Sequence, residues 1–309
     1  MKIYSSYKEF QSTNNSVLTL GTFDGVHIGH QSILKKVIDS TDKNKYESVV
    51  LTFFPHPRMV LEKDHNIKLL DTITEKAKKL EVLGIQHLII QEFTKEFSNL
   101  SAEEFVRDVL VEHLHVKKII IGYDHRFGKN RSADIHDLIN YSNRYKFDVE
   151  QITAQEINEV SISSTKIRKA LLEGDILTAN KYLDSAFCLT GTVVKGKQLG
   201  RTIGFPTANL VLAEDYKLIP KRGSYIVSTI INGKEVRGMM NIGINPTINS
   251  NNNQTLEVHL IDYQGDLYDQ TITIKFLDYL RDEKKFDSIE ALKQQLQTDY
   301  QTAKNYILC

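Results

Sequence analysis

Cysteine is almost missing from this chain, which has Cys188 and Cys309 and no others among its 309 residues. So few cysteines argue against a disulfide framework or a cysteine-ligated metal site, and we expect two free thiols. A charge excess of either sign is missing too, because 39 Lys and Arg balance 39 Asp and Glu. Without a basic field, the sequence predicts no nucleic-acid partner and no binding to an anionic membrane.

Long apolar segments are also missing from the sequence. Nowhere are 18 consecutive residues apolar, and residues 1–16 are polar and lack the apolar region of a signal peptide. The sequence therefore predicts no membrane association and a cytoplasmic location. A chain of this length can form two domains, each with its own hydrophobic core.

The two halves of the chain have different patterns. In the first half, helical segments separate short apolar runs at residues 17–22, 48–53, 87–90 and 118–122. This alternation predicts a parallel sheet. After residue 187, β-type runs follow one another until a helical segment at 288–305. We predict a parallel α/β domain over residues 1–183 and a small antiparallel β-barrel with a terminal helix over residues 184–309.

Two histidines, His27 and His30, stand among glycines where the first predicted strand should lead into a helix. Backbone N–H groups at a helix N-terminus attract phosphate, and glycine lets phosphate approach closely. Imidazoles can donate hydrogen bonds to charge that develops on a phosphoryl oxygen. The segment therefore indicates nucleotide chemistry without a protein nucleophile. By itself the short motif is weak, and a helix cap or polar surface residues are the alternative.

A second segment, residues 163–168, places hydroxyl and basic side chains at the start of another predicted helix. Serine and threonine are good helix caps, and a helix N-terminus also binds anions, so this segment alone favours neither role. Combined with the histidine pair, it favours phosphate binding.

With Phe23 and Asp24 ahead of the histidines, the first segment resembles the signature of the nucleotidylyltransferase superfamily. The whole segment of residues 21–30 resembles the adenylyltransferase half of bacterial bifunctional riboflavin kinase/FAD synthetases. The resemblance implies a Rossmann-like domain in which His27 and His30 are catalytic. It also implies that Phe23, Asp24 and Gly29 bind ATP.

The segment at 163–168 resembles the second signature of the same superfamily. The resemblance implies that Ser164 and Thr165 hold phosphate oxygens of ATP and that Arg168 is catalytic. Two residues depart from the family pattern, since Lys166 stands for a frequent arginine and Thr22 for an asparagine. Lysine keeps the positive charge of arginine but loses its two-point hydrogen bonding.

Two further segments that follow predicted strands, residues 52–57 and 122–128, match the FAD synthetase pattern. Loops at the carboxyl ends of parallel strands commonly bind ligands. The resemblance implies flavin contacts from Phe54, Asp124 and Phe127, although the family usually has Asp in place of Phe54 and an aromatic residue in place of His125. By position alone, Phe53 and Phe127 are expected in the core.

The second half contains a motif at residues 196–209. Its first residues complete most of a Walker A pattern, but such a loop has to open a helix, and no helical pattern follows here. The whole motif resembles the riboflavin kinase signature. The resemblance implies ATP binding at Gly196 and Lys197 and a Mg²⁺ site at Thr207 and Asn209. These last two residues share one face of an extended segment, and oxygen ligands suit Mg²⁺ that is bound together with ATP.

Glu257 lies on the polar face of an alternating strand at residues 256–261, and the alternation alone predicts a solvated residue. A kinase benefits from a carboxylate that accepts the hydroxyl proton, and the resemblance places Glu257 at that position. Segments at 241–247 and 280–286 also match, and the resemblance places Arg281 near the flavin.

The resemblance covers nearly the whole chain and implies a bifunctional enzyme with riboflavin, FMN and ATP as substrates and Mg²⁺ as the companion of ATP. The C-terminal domain would phosphorylate riboflavin, and the N-terminal domain would adenylylate FMN with release of pyrophosphate. A nucleotidylyltransferase for another phosphorylated metabolite and a flavin-sensing or storage protein are the alternatives. The sequence leaves the assembly open, with a homo-oligomer among the alternatives.

Overall fold

The computed structural model describes residues 1–44, 46–61, 67–123, 125–153, 162–196, 199–244 and 254–307. Packing divides the chain into two compact units, Met1–Ser164 and Thr165–Cys309. Within the described ranges, no helix is long and apolar enough to cross a membrane.

The first unit contains a sheet of six parallel strands. They are β1 (Lys2–Tyr4), β2 (Ser16–Leu20), β3 (Glu47–Phe54), β4 (His87–Glu92), β5 (Val116–Gly122) and β6 (Asp148–Ile152). Their order is β1-β4-β3-β2-β5-β6, so the chain runs outward from β2 to β4 and returns to the other side of β2 with β5. Ligands of open parallel sheets bind at such a reversal of strand order, beyond the carboxyl ends of the strands.

Helices lie on both faces of this sheet. They are α1 (Ile28–Asn44), α2 (Pro57–Leu61), α3 (Ile73–Leu83), α4 (Lys95–Ser98), α5 (Ala102–Glu104), which continues as a π-helical segment (Phe105–His113), and α6 (Ile135–Tyr145); 3₁₀ turns lie at Tyr7–Glu9 and Lys129–Arg131. Successive side chains of β2 enter different cores, with Leu18 packing in the cluster of Phe105 and Val17 in the cluster of Leu34. Because both faces are buried, the strands have continuous apolar sequences. The predicted parallel α/β fold is confirmed.

The second unit is a closed antiparallel barrel with helices. Its elements are α7 (Ser164–Glu173), α8 (Ile176–Leu183), β7 (Cys188–Val194), α9 (Leu199–Thr202), β8 (Ala208–Leu212), β9 (Gly223–Ile231), β10 (Lys234–Ile244), β11 (Gln254–Leu260), β12 (Thr271–Arg281) and α10 (Ile289–Asn305). The strands close in the order β10-β11-β8-β7-β12-β9. Ala303 of α10 packs with Ile226, Met239 and Leu277 of the barrel. The predicted barrel with a terminal helix is confirmed, whereas the expectation of no helical segment between residues 187 and 288 was wrong, because the short helix α9 follows residue 198.

Helix α8 is hydrogen-bonded to the barrel. The Asn180 side chain donates to the Phe276 carbonyl at 2.9 Å and accepts from the Phe187 N–H at 2.7 Å. The division by packing thus places α8 with the second unit. The boundary of the functional domains between residues 183 and 184 stays a prediction.

A fragment of residues 165–309 should therefore be more stable than one of residues 184–309. The shorter fragment lacks Asn180 and leaves the Phe276 carbonyl and the Phe187 N–H unpaired, and each unpaired buried group costs about 1–3 kcal/mol. Urea denaturation followed by circular dichroism measures the difference, and Asn180→Ala in the longer fragment is the matched variant. Equal free energies of unfolding in all three would contradict the role of Asn180.

Candidate active sites

The loop of residues 21–26, between β2 and α1, has a strained backbone. Phe23 and Val26 have φ values of 46°, and Gly25 has 87°. Side chains disfavour this left-handed region, and a β-branched valine disfavours it most. Phe23 is 3% and Val26 2% exposed, so packing in the core holds both residues in place. Strain of this kind clusters at functional sites.

Asp24 fixes this loop from inside. Its carboxylate oxygen accepts hydrogen bonds from the N–H groups of Leu70 at 2.9 Å and Asp71 at 3.3 Å. Its carbonyl oxygen accepts from the Ser164 hydroxyl at 2.8 Å, which joins the two sequence signatures. The carboxylate thus has a structural role, and an ATP contact of Asp24 stays a prediction.

His27 and His30 form a stacked pair at the start of α1, with ring centroids 3.6 Å apart. His27 Nδ1 accepts a weak hydrogen bond from the His30 N–H at 3.4 Å, so the ring proton of His27 lies on Nε2. The His30 ring contacts the Phe23 ring edge to face, with the ring centroids 5.1 Å apart. In the described structure, His30 Nδ1 is buried and has no hydrogen-bond partner.

Both imidazoles are neutral at pH 7. Burial lowers the pKa of His27 to about 4. Burial also lowers the pKa of His30 well below its ordinary value, and the positive charge of Lys76, with that of His27 once it is protonated, lowers it further. Neutral imidazoles still donate one hydrogen bond each, which is what stabilisation of a phosphoryl oxygen requires.

A cavity of about 360 Å³ opens beside the histidine pair. His30 and residues 21–23 contribute to its lining, and so do the guanidinium-bearing side chains Arg126 and Arg131. Aromatic rings supply much of the remaining lining, from Phe53, Phe93, Phe97, Phe105 and Phe127. An aromatic cavity with nearby cations suits a flat ring system that carries an anionic group.

The predicted flavin residues of this unit are only partly brought together. Phe127 lines the cavity and is also 7% exposed within a core cluster, so its core position is confirmed and its flavin contact stays a prediction. From the predicted segment 52–57, Phe53 of β3 and Pro57 of α2 are among the described lining residues, whereas Phe54 is not. Asp124 lies outside the described residues.

Two lysines of α3 reach the loop that carries the histidines. Lys76 Nζ donates to the Thr22 carbonyl at 2.7 Å, and Lys79 Nζ donates to the Gly25 carbonyl at 3.3 Å. Lys79 also pairs with Asp71 at 2.8 Å. Sequence reasoning missed both lysines, although residues three apart share a helix face. Thr165 and Arg168 lie on α7, and their contacts with phosphate stay predictions.

Glu257, Thr207 and Asn209 come together in the barrel. Glu257 of β11 pairs with Asn209 of β8 in antiparallel register. The Thr207 hydroxyl donates to the Glu257 carboxylate at 3.3 Å. A Cβ atom at Gly196 would overlap the Asn209 amide, so a larger residue there would displace the Asn209 side chain. Lys197 lies outside the described residues.

The oxygens of Thr207 and Asn209 suit Mg²⁺ in chemistry. Mg²⁺ prefers oxygen ligands and keeps several waters or substrate phosphates. Among the described residues, no group of three or more His, Cys, Asp or Glu side chains is placed to hold a metal ion. A site at Thr207 and Asn209 would therefore depend on the phosphates of ATP.

Two neighbouring contacts in the barrel unit were not expected from the sequence. His259 donates through Nδ1 to the Pro206 carbonyl at 2.8 Å and thereby fixes the chain before Thr207. Arg281 forms a two-point ion pair with the buried Asp299 of α10, with its Nε at 2.9 Å and Nη2 at 2.7 Å from one carboxylate oxygen. The guanidinium is thus held by α10, and a flavin contact of Arg281 stays a prediction.

The depressed pKa of His27 makes the first unit sensitive to acid. In the unfolded chain this histidine binds a proton near its ordinary pKa of 6.5, whereas the folded protein binds it only near pH 4. Its contribution to stability is present above pH 6.5 and is lost as the pH falls toward 4. Between pH 7 and pH 5, the loss should be about 2 kcal/mol.

Hydrogen exchange of β2 peptides in the full chain measures this loss. His27→Asn, which cannot bind the proton, should lose less stability between pH 7 and pH 5 than the wild type. The matched control is His136→Asn, because His136 is exposed on α6. An equal loss in both variants would show that His27 does not cause the acid sensitivity.

Comparisons with known proteins match each of the two units. The family model for FAD synthetase matches residues 9–166, and the model for riboflavin kinase matches residues 183–307. Bifunctional riboflavin kinase/FMN adenylyltransferase of Listeria monocytogenes is 38% identical, over 94% of this chain and 92% of its own length. The Escherichia coli protein of the same name is 36% identical over the same shares.

A solved structure shares the architecture. It is described as a macrolide-efflux protein from Streptococcus pneumoniae, and it matches with a TM-score of 0.90 and 33% identity over 99% of both chains. Two family models in the order of the two units, together with relatives matched over nearly the full length, decide the family. The chain belongs to the bifunctional riboflavin kinase/FMN adenylyltransferases, with an FAD synthetase unit followed by a riboflavin kinase unit.

Proposed function

We propose that the two units act on the same flavin in sequence. The barrel transfers the γ-phosphoryl group of ATP to the 5′-hydroxyl of riboflavin. The parallel-sheet unit then transfers AMP from a second ATP to the phosphate of FMN and releases pyrophosphate. The observation that supports this best is the aromatic cavity beside the stacked histidines, because such a cavity suits a flat flavin ring next to a reacting phosphate.

In adenylyl transfer, the phosphate of FMN is the nucleophile. It is already ionised at neutral pH, so no general base is needed, and catalysis depends on positioning and charge stabilisation. The Nε2–H of His27 and the imidazole of His30 donate to the α-phosphoryl oxygens, and the N-terminus of α1 adds its positive end. Arg126 and Arg131 lie at the same cavity and favour a phosphorylated flavin.

In the kinase unit, Glu257 accepts the proton of the riboflavin hydroxyl as that oxygen attacks the γ-phosphorus. The hydrogen bond from Thr207 orients the carboxylate. When it is bound with ATP, Mg²⁺ neutralises charge on the phosphate oxygens, and Thr207 and Asn209 are the residues that would hold it. Gly196 leaves room for the Asn209 amide.

We further propose a cytoplasmic location, because both reactions consume ATP. Small-molecule substrates follow from the family, whereas the assembly of the protein stays open.

Chromatography of riboflavin, MgATP and protein tests the order of the reactions. Wild-type protein should form FMN and then FAD, and His27→Ala or His30→Ala should stop at FMN. Loss of one donor to a developing charge lowers the rate by about 10²- to 10³-fold. His136→Ala is the control. Wild-type rates of FAD formation in both variants would refute the role of the pair, and unreacted riboflavin with wild-type protein would refute the function.

Glu257→Gln tests the kinase site in the same assay. Glutamine keeps the size and an acceptor for Thr207 but cannot take the proton. The kcat for FMN formation should fall by about 10²- to 10⁴-fold, with the KM for riboflavin little changed. Supplied FMN should still become FAD, because the first unit catalyses that step. If the variant phosphorylates riboflavin within a few-fold of the wild-type rate, Glu257 is only a solvated strand residue.

A further inference from the structure

The carbonyl groups of the strained loop are all engaged from inside the protein. Each oxygen of residues 22–26 accepts a hydrogen bond: Thr22 from Lys76 and Thr52, Phe23 from the Val26 N–H, Asp24 from Ser164, Gly25 from Lys79 and Val26 from Gln31. The negative ends of five consecutive peptide dipoles therefore point to protein donors. A loop that faces phosphate has to turn these oxygens away from the anion.

The peptide group between Thr22 and Phe23 shows what this orientation achieves. In a trans peptide, the C=O and N–H bonds point in opposite directions. Because Lys76 Nζ lies 2.7 Å from the Thr22 oxygen, the Phe23 N–H points away from α3. The Gly25 carbonyl is held toward Lys79 in the same manner. Two side chains from one helix thus set the direction of the loop's donors.

Burial of the Lys76 ammonium group costs free energy that a merely structural contact does not explain. It is 3% exposed, and burial lowers its pKa, while the Asp24 and Asp71 carboxylates oppose that shift. Buried ammonium groups lose hydration, and apolar side chains of similar size often stabilise a core as well or better. A lysine at this position is therefore explained better by what it does to the loop than by stability.

We propose that Lys76, assisted by Lys79, is a positioning residue for adenylyl transfer. The two ammonium groups hold the Thr22 and Gly25 carbonyls away from the triphosphate, so that the loop presents N–H groups and the histidine pair to it. This inference rests on the proposed adenylyl transfer in the first unit. It assigns the lysines to the phosphate end of the site and not to the aromatic cavity, whose lining includes neither of them.

The two ends of the site should therefore respond differently to Lys76→Met. Without the Lys76 ammonium, only the longer 3.2 Å hydrogen bond from Thr52, among the described residues, holds the Thr22 carbonyl, which can then rotate toward the phosphates and repel them. The kcat/KM for ATP in FAD formation should fall by about 10- to 100-fold, as expected for the loss of a hydrogen bond to a charged group. Product inhibition by pyrophosphate should weaken as well. The KM for FMN should change less than about twofold, because neither lysine lines the aromatic cavity and its phenylalanine side chains are unchanged.

The experiment uses the full chain, in which riboflavin phosphorylation by the second unit reports on folding. Lys78→Met is the matched control, since Lys78 is exposed on the same helix. Lys79→Met is a milder variant, because this side chain is 26% exposed, and it decides the question if Lys76→Met does not fold. Loss of ATP and pyrophosphate affinity with an unchanged KM for FMN, in either variant, supports the proposal.

Two results would overturn it. One is a folded Lys76→Met protein with the kinetic constants of the Lys78→Met control. The other is a Lys76→Met protein that loses affinity for ATP and for FMN to the same extent and has a lower melting temperature, while Lys79→Met keeps the kinetic constants of the wild type. Wild-type protein that makes no FAD from FMN and MgATP would instead refute the adenylyl transfer itself, so the two failures are distinguishable.

Discussion

The adenylyl-transfer site depends on one strained turn, where the chain leaves β2 and enters α1. Two residues of this turn, Phe23 and Val26, have a left-handed backbone conformation that costs about 1–3 kcal/mol each. Burial of an apolar side chain of this size returns about 1.5–3 kcal/mol, so the two terms are comparable. The core beneath the loop therefore fixes the position of the histidines as directly as the loop itself does.

The kinase site is built without comparable strain. Glu257 and Asn209 face each other because antiparallel register places them there, and Thr207 is two residues before Asn209 on the same chain. Regular strands hold their side chains in place through the ladder, and Gly196 leaves room for the Asn209 amide. The two halves thus position phosphate-handling groups in different ways, one through a turn and one through a barrel.

The sequence predicted the parts of the structure that leave a local pattern. Buried parallel strands gave continuous apolar runs, and β11 gave an alternation in which Leu256 and Val258 are buried while Glu257 is not. The histidine pair could be found because its spacing and its glycines are local. The sequence could not show which of Phe53 and Phe54 lines the cavity. Neighbouring strand residues point to opposite faces, but both are aromatic, so their type does not show which face is which.

Most of the contacts that sequence reasoning missed join distant segments. Lys76 lies 54 positions from Thr22, and His259 lies 53 positions from Pro206. Such pairs leave no mark in a window of ten or twenty residues, because a lysine on a helix is ordinarily a solvated side chain. Only the packing of α3 against the loop after β2 reveals that this lysine is buried.

Balanced net charge explains why these local contacts matter. With 39 basic and 39 acidic side chains, the chain has no overall field that would draw a polyanionic nucleotide to it. Attraction has to come from groups at the site, namely the N-terminus of α1, the oriented loop amides and the buried ammonium of Lys76. Buried groups are screened by salt much less than surface charges, so each contributes more than an exposed lysine would. A few well-placed donors can therefore replace the excess of positive charge that the composition lacks.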